Sequence, residues 1–220
     1  MLFIGDSTLK HIAEQVAMST LKQCRVHKKC NRRCSFQEYL NLSPVKQYVR
    51  ARDMNRKFCD AKIDGCRSFS CVCENRSMEY VANLVTYNNA ANLVIEKYLD
   101  KAPRDLCVVG SGMHEQHDSN YTTHEYENDV KAYLQRLDNY CGQMIWLSIN
   151  AVRGYKQYNQ SNRRIVEWNK AIRGMLRSDL PNVAFIDVFP MSTKGSMHWN
   201  RDNVHMNDQY NRKVASFFNI

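Results

Sequence analysis

Two short stretches at opposite ends of the chain hold side chains able to transfer an acyl group. Ser7 stands in Gly5-Asp6-Ser7-Thr8-Leu9, and Asp202-Asn203-Val204-His205 lies near the C-terminal end. A serine hydroxyl must lose its proton as it attacks a carbonyl, so it needs an imidazole within hydrogen-bond reach and a carboxylate to hold that imidazole. The spacing of Asp202 and His205 lets both sit on one face of a turn, the carboxylate on the distal ring nitrogen and the other nitrogen addressing Ser7. Each residue also has a plainer role open to it. Ser7 can serve as the N-cap of a following helix, Asp6 as a structural hydrogen-bond acceptor, and Asp202 and His205 as parts of a surface loop. His114 can be a turn histidine. His117 and His124 read as loop residues, and His198 is near enough to His205 in sequence to line the same cleft.

The chemistry requires elements that bring these ends together. Leu2-Phe3-Ile4 is a short apolar run, and beyond Ser7 the residues Leu9, Ile12, Ala13, Val16, Ala17 and Leu21 recur at helical spacing. The local order is therefore strand, serine, helix. A hydroxyl at the carboxyl end of a parallel strand faces the crevice of an open α/β sheet, with a helix N-terminus behind it to favour negative charge. Further strands are expected around Tyr80–Val85, at Leu106–Val109, Met144–Ile149 and Val183–Val188. Helices between them align Ala91, Val94, Ile95, Tyr98 and Leu99, then Tyr126, Val130, Tyr133, Leu134 and Leu137, then Ile165, Trp168, Ile172 and Met175. Thr122 with Glu125 forms a capping-box signature before the second of these. A last helix from Asp208 aligns Tyr210, Val214, Phe217 and Phe218. Alternation of this kind predicts an α/β protein, a three-layer α/β/α sandwich with a central parallel sheet of about five strands. Residues 1–220 read as a single domain with an insertion at about 23–78. The three tryptophans, Trp146, Trp168 and Trp199, are expected in the core, with stacking on a sugar as the alternative.

The insertion is marked by cysteine and by charge. Cys24, Cys30, Cys34, Cys59, Cys66, Cys71 and Cys73 crowd into it, seven of the nine in the chain. Such density predicts a disulfide-stapled excursion in an oxidising compartment; a zinc module on Cys24, His27, Cys30 and Cys34 is the alternative, although the spacing matches no paired knuckle well. The odd count leaves at least one thiol unpaired within the chain, and Cys107, inside an apolar run, is the expected buried free thiol. Sequons at Asn41, Asn75, Asn120 and Asn159 are compatible with the secretory route. No signal-peptide pattern opens the segment and no apolar run reaches about 18 residues, so a leader or membrane anchor is expected only outside it. The net charge of +9 gathers in the same third of the chain, and its few aromatic residues do not alternate regularly with the basic ones as a base-stacking surface would have them do. Nucleic acid is therefore not an expected partner. Nothing in the composition calls for a cofactor.

Gly5-Asp6-Ser7, together with Asp202-Asn203-Val204-His205, resembles the first and last sequence blocks of the SGNH (GDSL) hydrolase superfamily, and the element order agrees along the whole chain. The Gly-x-Ser-x-Gly elbow of the α/β hydrolases is absent. In the SGNH superfamily the block after the third strand reads Gly-x-Asn-Asp, whose asparagine donates to an oxyanion; here Gly112-Met113-His114-Glu115 stands in its place. That form, the cysteine-rich stretch and the Trp146 and Trp168-Asn169 segments are similar to the PC-esterase and NXPE C-terminal branch. The resemblance implies an oxyanion hole built from the Ser7 backbone N–H, His114 and a second-block glycine, for which Gly65 is the candidate. A neutral imidazole offers one N–H donor, which is what the asparagine's role requires. It further implies a serine esterase or O-acyltransferase acting on O-acyl groups, O-acetyl above all, of a carbohydrate or glycoconjugate in the secretory lumen or outside the cell. A non-catalytic extracellular binding module on the same scaffold is the rival reading.

Overall fold

A computed structural model describes residues 1–26, 68–73, 76–82, 95, 99, 103–153, 161–194 and 203–218. Its order is β1 (Leu2–Gly5), α1 (Ser7–Val26), β2 (Ser68–Cys73), β3 (Arg76–Ala82), β4 (Arg104–Gly110), α2 (Thr123–Leu137), β5 (Cys141–Leu147), α3 (Asn162–Asp179), β6 (Val183–Ile186), a single turn α4 (Phe189–Ser192) and α5 (Asp208–Ala215). The described strands form one sheet in the order β2-β3-β1-β4-β5-β6. Five of these strands, β3 to β6 through β1, run parallel, and β2 adds to the edge as the antiparallel partner of β3. This is the expected α/β sandwich with one strand more.

The period-two alternation of the strands divides the core between the two faces of the sheet. Leu2, Ile4, Cys107, Val109, Met144 and Trp146 pack toward α2 and α3, meeting Tyr126, Val130, Leu134, Trp168 and Ile172. Phe3, Val108 and Leu147 pack the other way, against Leu9, Ile12 and Val16 of α1 and Tyr210, Val214 and Phe218 at the C-terminal end. Burying each such side chain contributes on the order of 2 kcal/mol. Trp146 and Trp168 are completely buried, as expected of core residues; Trp199 lies outside the described residues.

Several boundaries differ from the sequence expectation. The hairpin β2–β3 occupies part of the stretch read as an irregular insertion, and β3 begins before the anticipated Tyr80. The helix expected over Ala91–Leu99 lies largely outside the described residues, although Leu99 is buried in the core and Ile95 packs against the same cluster. Strand β5 starts at Cys141, ahead of the expected Met144, and this earlier start overturns the reading of Cys107 as a free thiol. Cys107 is joined to Cys141 in a disulfide with a Cα–Cα separation of 5.8 Å. The two cysteines belong to the adjacent strands β4 and β5 and to the same core cluster on one face of the sheet. The other seven cysteines all belong to the 24–73 stretch, where the odd count remains. Among the described residues, no helix is long and apolar enough to cross a membrane.

Candidate active site

Strand order puts the carboxyl ends of β1 and β4 at the point where the chain's direction of travel across the sheet reverses. In open α/β sheets that crevice is where ligands bind. Gly5 and Gly110, the last residues of the two strands, lie opposite each other. A Cβ on Gly5 would stand 2.0 Å from the Gly110 carbonyl oxygen, so the close approach of the two strand ends depends on glycine at this position.

The chain turns from β1 into α1 over Asp6. Its Oδ1 accepts from the backbone N–H groups of Thr8 and Leu9 and from the Thr8 hydroxyl, which makes Asp6 the helix cap. Its Oδ2 accepts from the Met113 N–H at 3.3 Å, tying the loop after β4 to the serine turn. The Tyr80 hydroxyl adds a bond to the carbonyls of Gly5 and Asp6, at 3.0 and 2.9 Å. Asp6 thus takes the capping role open to Ser7 and acts as a structural acceptor. The Ser7 hydroxyl is left for another partner.

That partner is His205. Ser7 Oγ and His205 Nε2 are 2.7 Å apart across 198 residues of sequence, both side chains partly exposed. With Nε2 unprotonated, the serine O–H donates to it, as a nucleophile donates to its general base. His205 is held by a short irregular run that is fixed at several points. Asn203 adopts the left-handed conformation at φ +60° while its carbonyl accepts from the Arg153 N–H at 2.9 Å. Met206 is buried, its carbonyl accepts from Asn211 Nδ2, and Asn207 caps α5 through the Tyr210 N–H. Asp202 and Gly65 lie outside the described residues, as does His198.

His114 follows Met113 in the loop after β4, so the Met113–Asp6 bond places it on the same sheet edge as Ser7; its side chain is exposed, its ring 5.5 Å from that of His117. The loop beneath it is braced from several sides. Gly112 has φ +133°, and a Cβ there would meet Ile149 Cδ1 at 2.3 Å. The Tyr126 hydroxyl donates to the Ser111 carbonyl at 2.6 Å, and the Tyr126 ring stacks on Trp168 at 4.1 Å. Arg164 lies over Trp168 and donates to the carbonyls of Gln116, Asp118 and Tyr121. Asn169 holds the Ile149 N–H and carbonyl at the end of β5.

Glu115, one residue beyond His114, is buried, and its Oε1 accepts from Ser111 Oγ at 2.5 Å. Burial pushes its carboxyl above the usual carboxylate range; the Ser111 bond works against this, and the nearby Asp6 charge adds to it. The folded chain therefore keeps this proton to higher pH than the unfolded chain does. The stability from that difference is complete below the ordinary value of 4.5 and is lost as pH rises toward the folded value. Each unit of elevation is worth about 1.4 kcal/mol. Thermal melts of the wild type and Glu115→Gln across pH 4 to 8 should accordingly show the variant gaining on the wild type as pH rises. A difference that does not change with pH would contradict this account.

Sequence reasoning missed one residue of the site. His11, four residues after Ser7 in α1, packs its ring against that of His205 at 5.2 Å between centroids. The i, i+4 spacing from the serine, which places both on one helix face, is the signal that could have found it.

No protein-family model and no curated protein matches this sequence. Solved structures do resemble it in fold. A lipase/acylhydrolase from Enterococcus faecalis superposes with a TM-score of 0.56 at 12% identity, covering 99% of this chain and 92% of that one. An acetylxylan esterase from Geobacillus stearothermophilus superposes with a TM-score of 0.51 at 15% identity, covering 99% and 90%. The α/β fold, with its parallel sheet between helices, is shared with these structures. At these identities the likeness speaks for the fold alone and carries no residue's role with it.

Proposed function

We propose that this chain is a carboxylic ester hydrolase of the SGNH type that removes O-acyl groups, O-acetyl above all, from a carbohydrate or glycoconjugate. The observation that carries the reading is the 2.7 Å approach of Ser7 Oγ to His205 Nε2 at the carboxyl edge of the sheet. Ser7 attacks the ester carbonyl while His205 takes its proton, and His205 then returns the proton to the leaving alkoxide. Asp202 orients His205. The Ser7 backbone N–H, the Gly65 N–H and the His114 ring N–H receive the negative charge that builds on the carbonyl oxygen. Water releases the acyl group from Ser7; a sugar hydroxyl in its place makes the same site an O-acetyltransferase.

Support for the substrate class comes from the fold neighbours. One is an acetylxylan esterase, also described as an acetyl-xylooligosaccharide esterase, and its catalytic mutants replace a serine or a histidine by alanine. The Gly112-Met113-His114 form favours the PC-esterase branch of the superfamily. We place the reaction in the secretory lumen or outside the cell, which the Cys107–Cys141 disulfide and the exposed sequon at Asn120 favour. The test is acetate release from acetylated xylooligosaccharides and from an aryl acetate, with Ser7→Ala as the control. Release by the wild type alone supports the reading. Folded wild type that binds acetylated glycan and releases nothing is the behaviour of a binding module and overturns it.

A further inference from the structure

One group of buried charges beside the site has no part in the reaction scheme. His11 Nδ1 lies 3.1 Å from Glu14 Oε2, and Glu14 Oε1 lies 3.2 Å from Lys10 Nζ. The Lys10 and Glu14 side chains are only 7% and 11% exposed, whereas that of His11 is 35% exposed. A buried ion pair bears a desolvation cost that a solvated helix face would avoid. Burial alone would push the Glu14 carboxyl up, but the His11 hydrogen bond and the attraction of Lys10 and His11 bring it below the usual range. Glu14 is thus an ionised acceptor, and the proton in its bond to His11 sits on Nδ1.

The same His11 ring meets the His205 ring at an interplanar angle of 86°, edge against face. His205 belongs to no helix or extended strand, and its ring must stay aimed at Ser7 Oγ across rotations of its own side chain. We propose that His11, clamped by Glu14 and Lys10, is a positioning residue for His205: a fixed ring wall that holds Nε2 on the serine hydroxyl. The inference rests on the reading of Ser7 and His205 as nucleophile and base. It adds a positioning group to that site, from the helix that Ser7 begins.

A displacement of about 1 Å can cost a hundredfold in rate. His11→Ala should accordingly lower kcat on an aryl acetate by about 10- to 100-fold, with KM changed by less than about twofold, and slow fluorophosphonate labelling of Ser7 in proportion. His11→Phe keeps a ring against His205 without the Glu14 bond and should recover most of the loss. Glu14→Gln should fall between the wild type and His11→Ala. If His11→Ala does not fold, the comparison is made with His11→Gln, which lacks the ring and should show the same kcat loss. Wild-type kcat in a folded, ring-less variant, with Ser7→Ala and His205→Ala inactive, would overturn the inference and leave the proposed function standing. A loss carried by KM would overturn it too, since it would make His11 a substrate contact. Activity retained by Ser7→Ala or His205→Ala would instead remove the reading beneath it.

Discussion

Replacing His205 by alanine should lower ester hydrolysis by about 10⁴- to 10⁶-fold, and replacing Ser7 by alanine should do the same. Both expectations follow from the single contact between Ser7 Oγ and His205 Nε2, because an alcohol with no base beside it stays protonated at neutral pH. The two effects should not add. Once the serine is absent the imidazole has nothing to activate, so the double variant should match either single one. This pattern separates a working pair from two residues that each support the fold. Melting temperatures serve as the control, since Ser7 and His205 are only partly buried and carry little of the core. Activity of His205→Ala within tenfold of the wild type would remove the imidazole from the mechanism.

The second large effect concerns stability. The Cys107–Cys141 disulfide closes a loop over a sequence separation of 34. On the chain-entropy account, a crosslink of that span restricts the unfolded state by about 3.8 kcal/mol. Replacing both cysteines by alanine should therefore lower the melting temperature by roughly 8–15 °C for a chain of this size. Calorimetry of the variant beside the wild type measures the shift. Cys107 is completely buried and Cys141 nearly so, so a reductant should reach the bond only slowly in the native state. Alkylation of native and denatured protein followed by mass mapping checks the pairing itself. Free thiols at both positions in protein purified under oxidising conditions would contradict it.

These two sites also show what could be read from residues alone. Ser7 and His205 were legible because each stands against a local pattern that has a physical cause: a strand-to-helix turn at one end and a turn-plus-helix at the other. The helices were legible from their apolar stripes and caps, the Thr122–Glu125 capping box among them. The Cys107–Cys141 pair was not. Which strands adjoin, and in what register, is set by packing across the whole sheet, and a start for β5 placed three residues late left Cys141 out of the strand. The β2–β3 hairpin was hidden for a related reason, since its cysteines and charges mask the alternation of a strand. His11 was passed over because a histidine between Lys10 and Ile12 reads as part of a polar helix face until the His205 loop is seen to cover it. The second-block glycine and the carboxylate proposed for Asp202 fall outside the described residues and rest on sequence alone.

The pairing of Ser7 with His205 is tested most directly by a serine-directed fluorophosphonate followed by mass spectrometry of the labelled protein. The account predicts one adduct per chain, on the N-terminal peptide at Ser7, with labelling abolished by Ser7→Ala and strongly slowed by His205→Ala. A folded wild type that takes no label, or takes it at another residue with Ser7 untouched, would contradict the account.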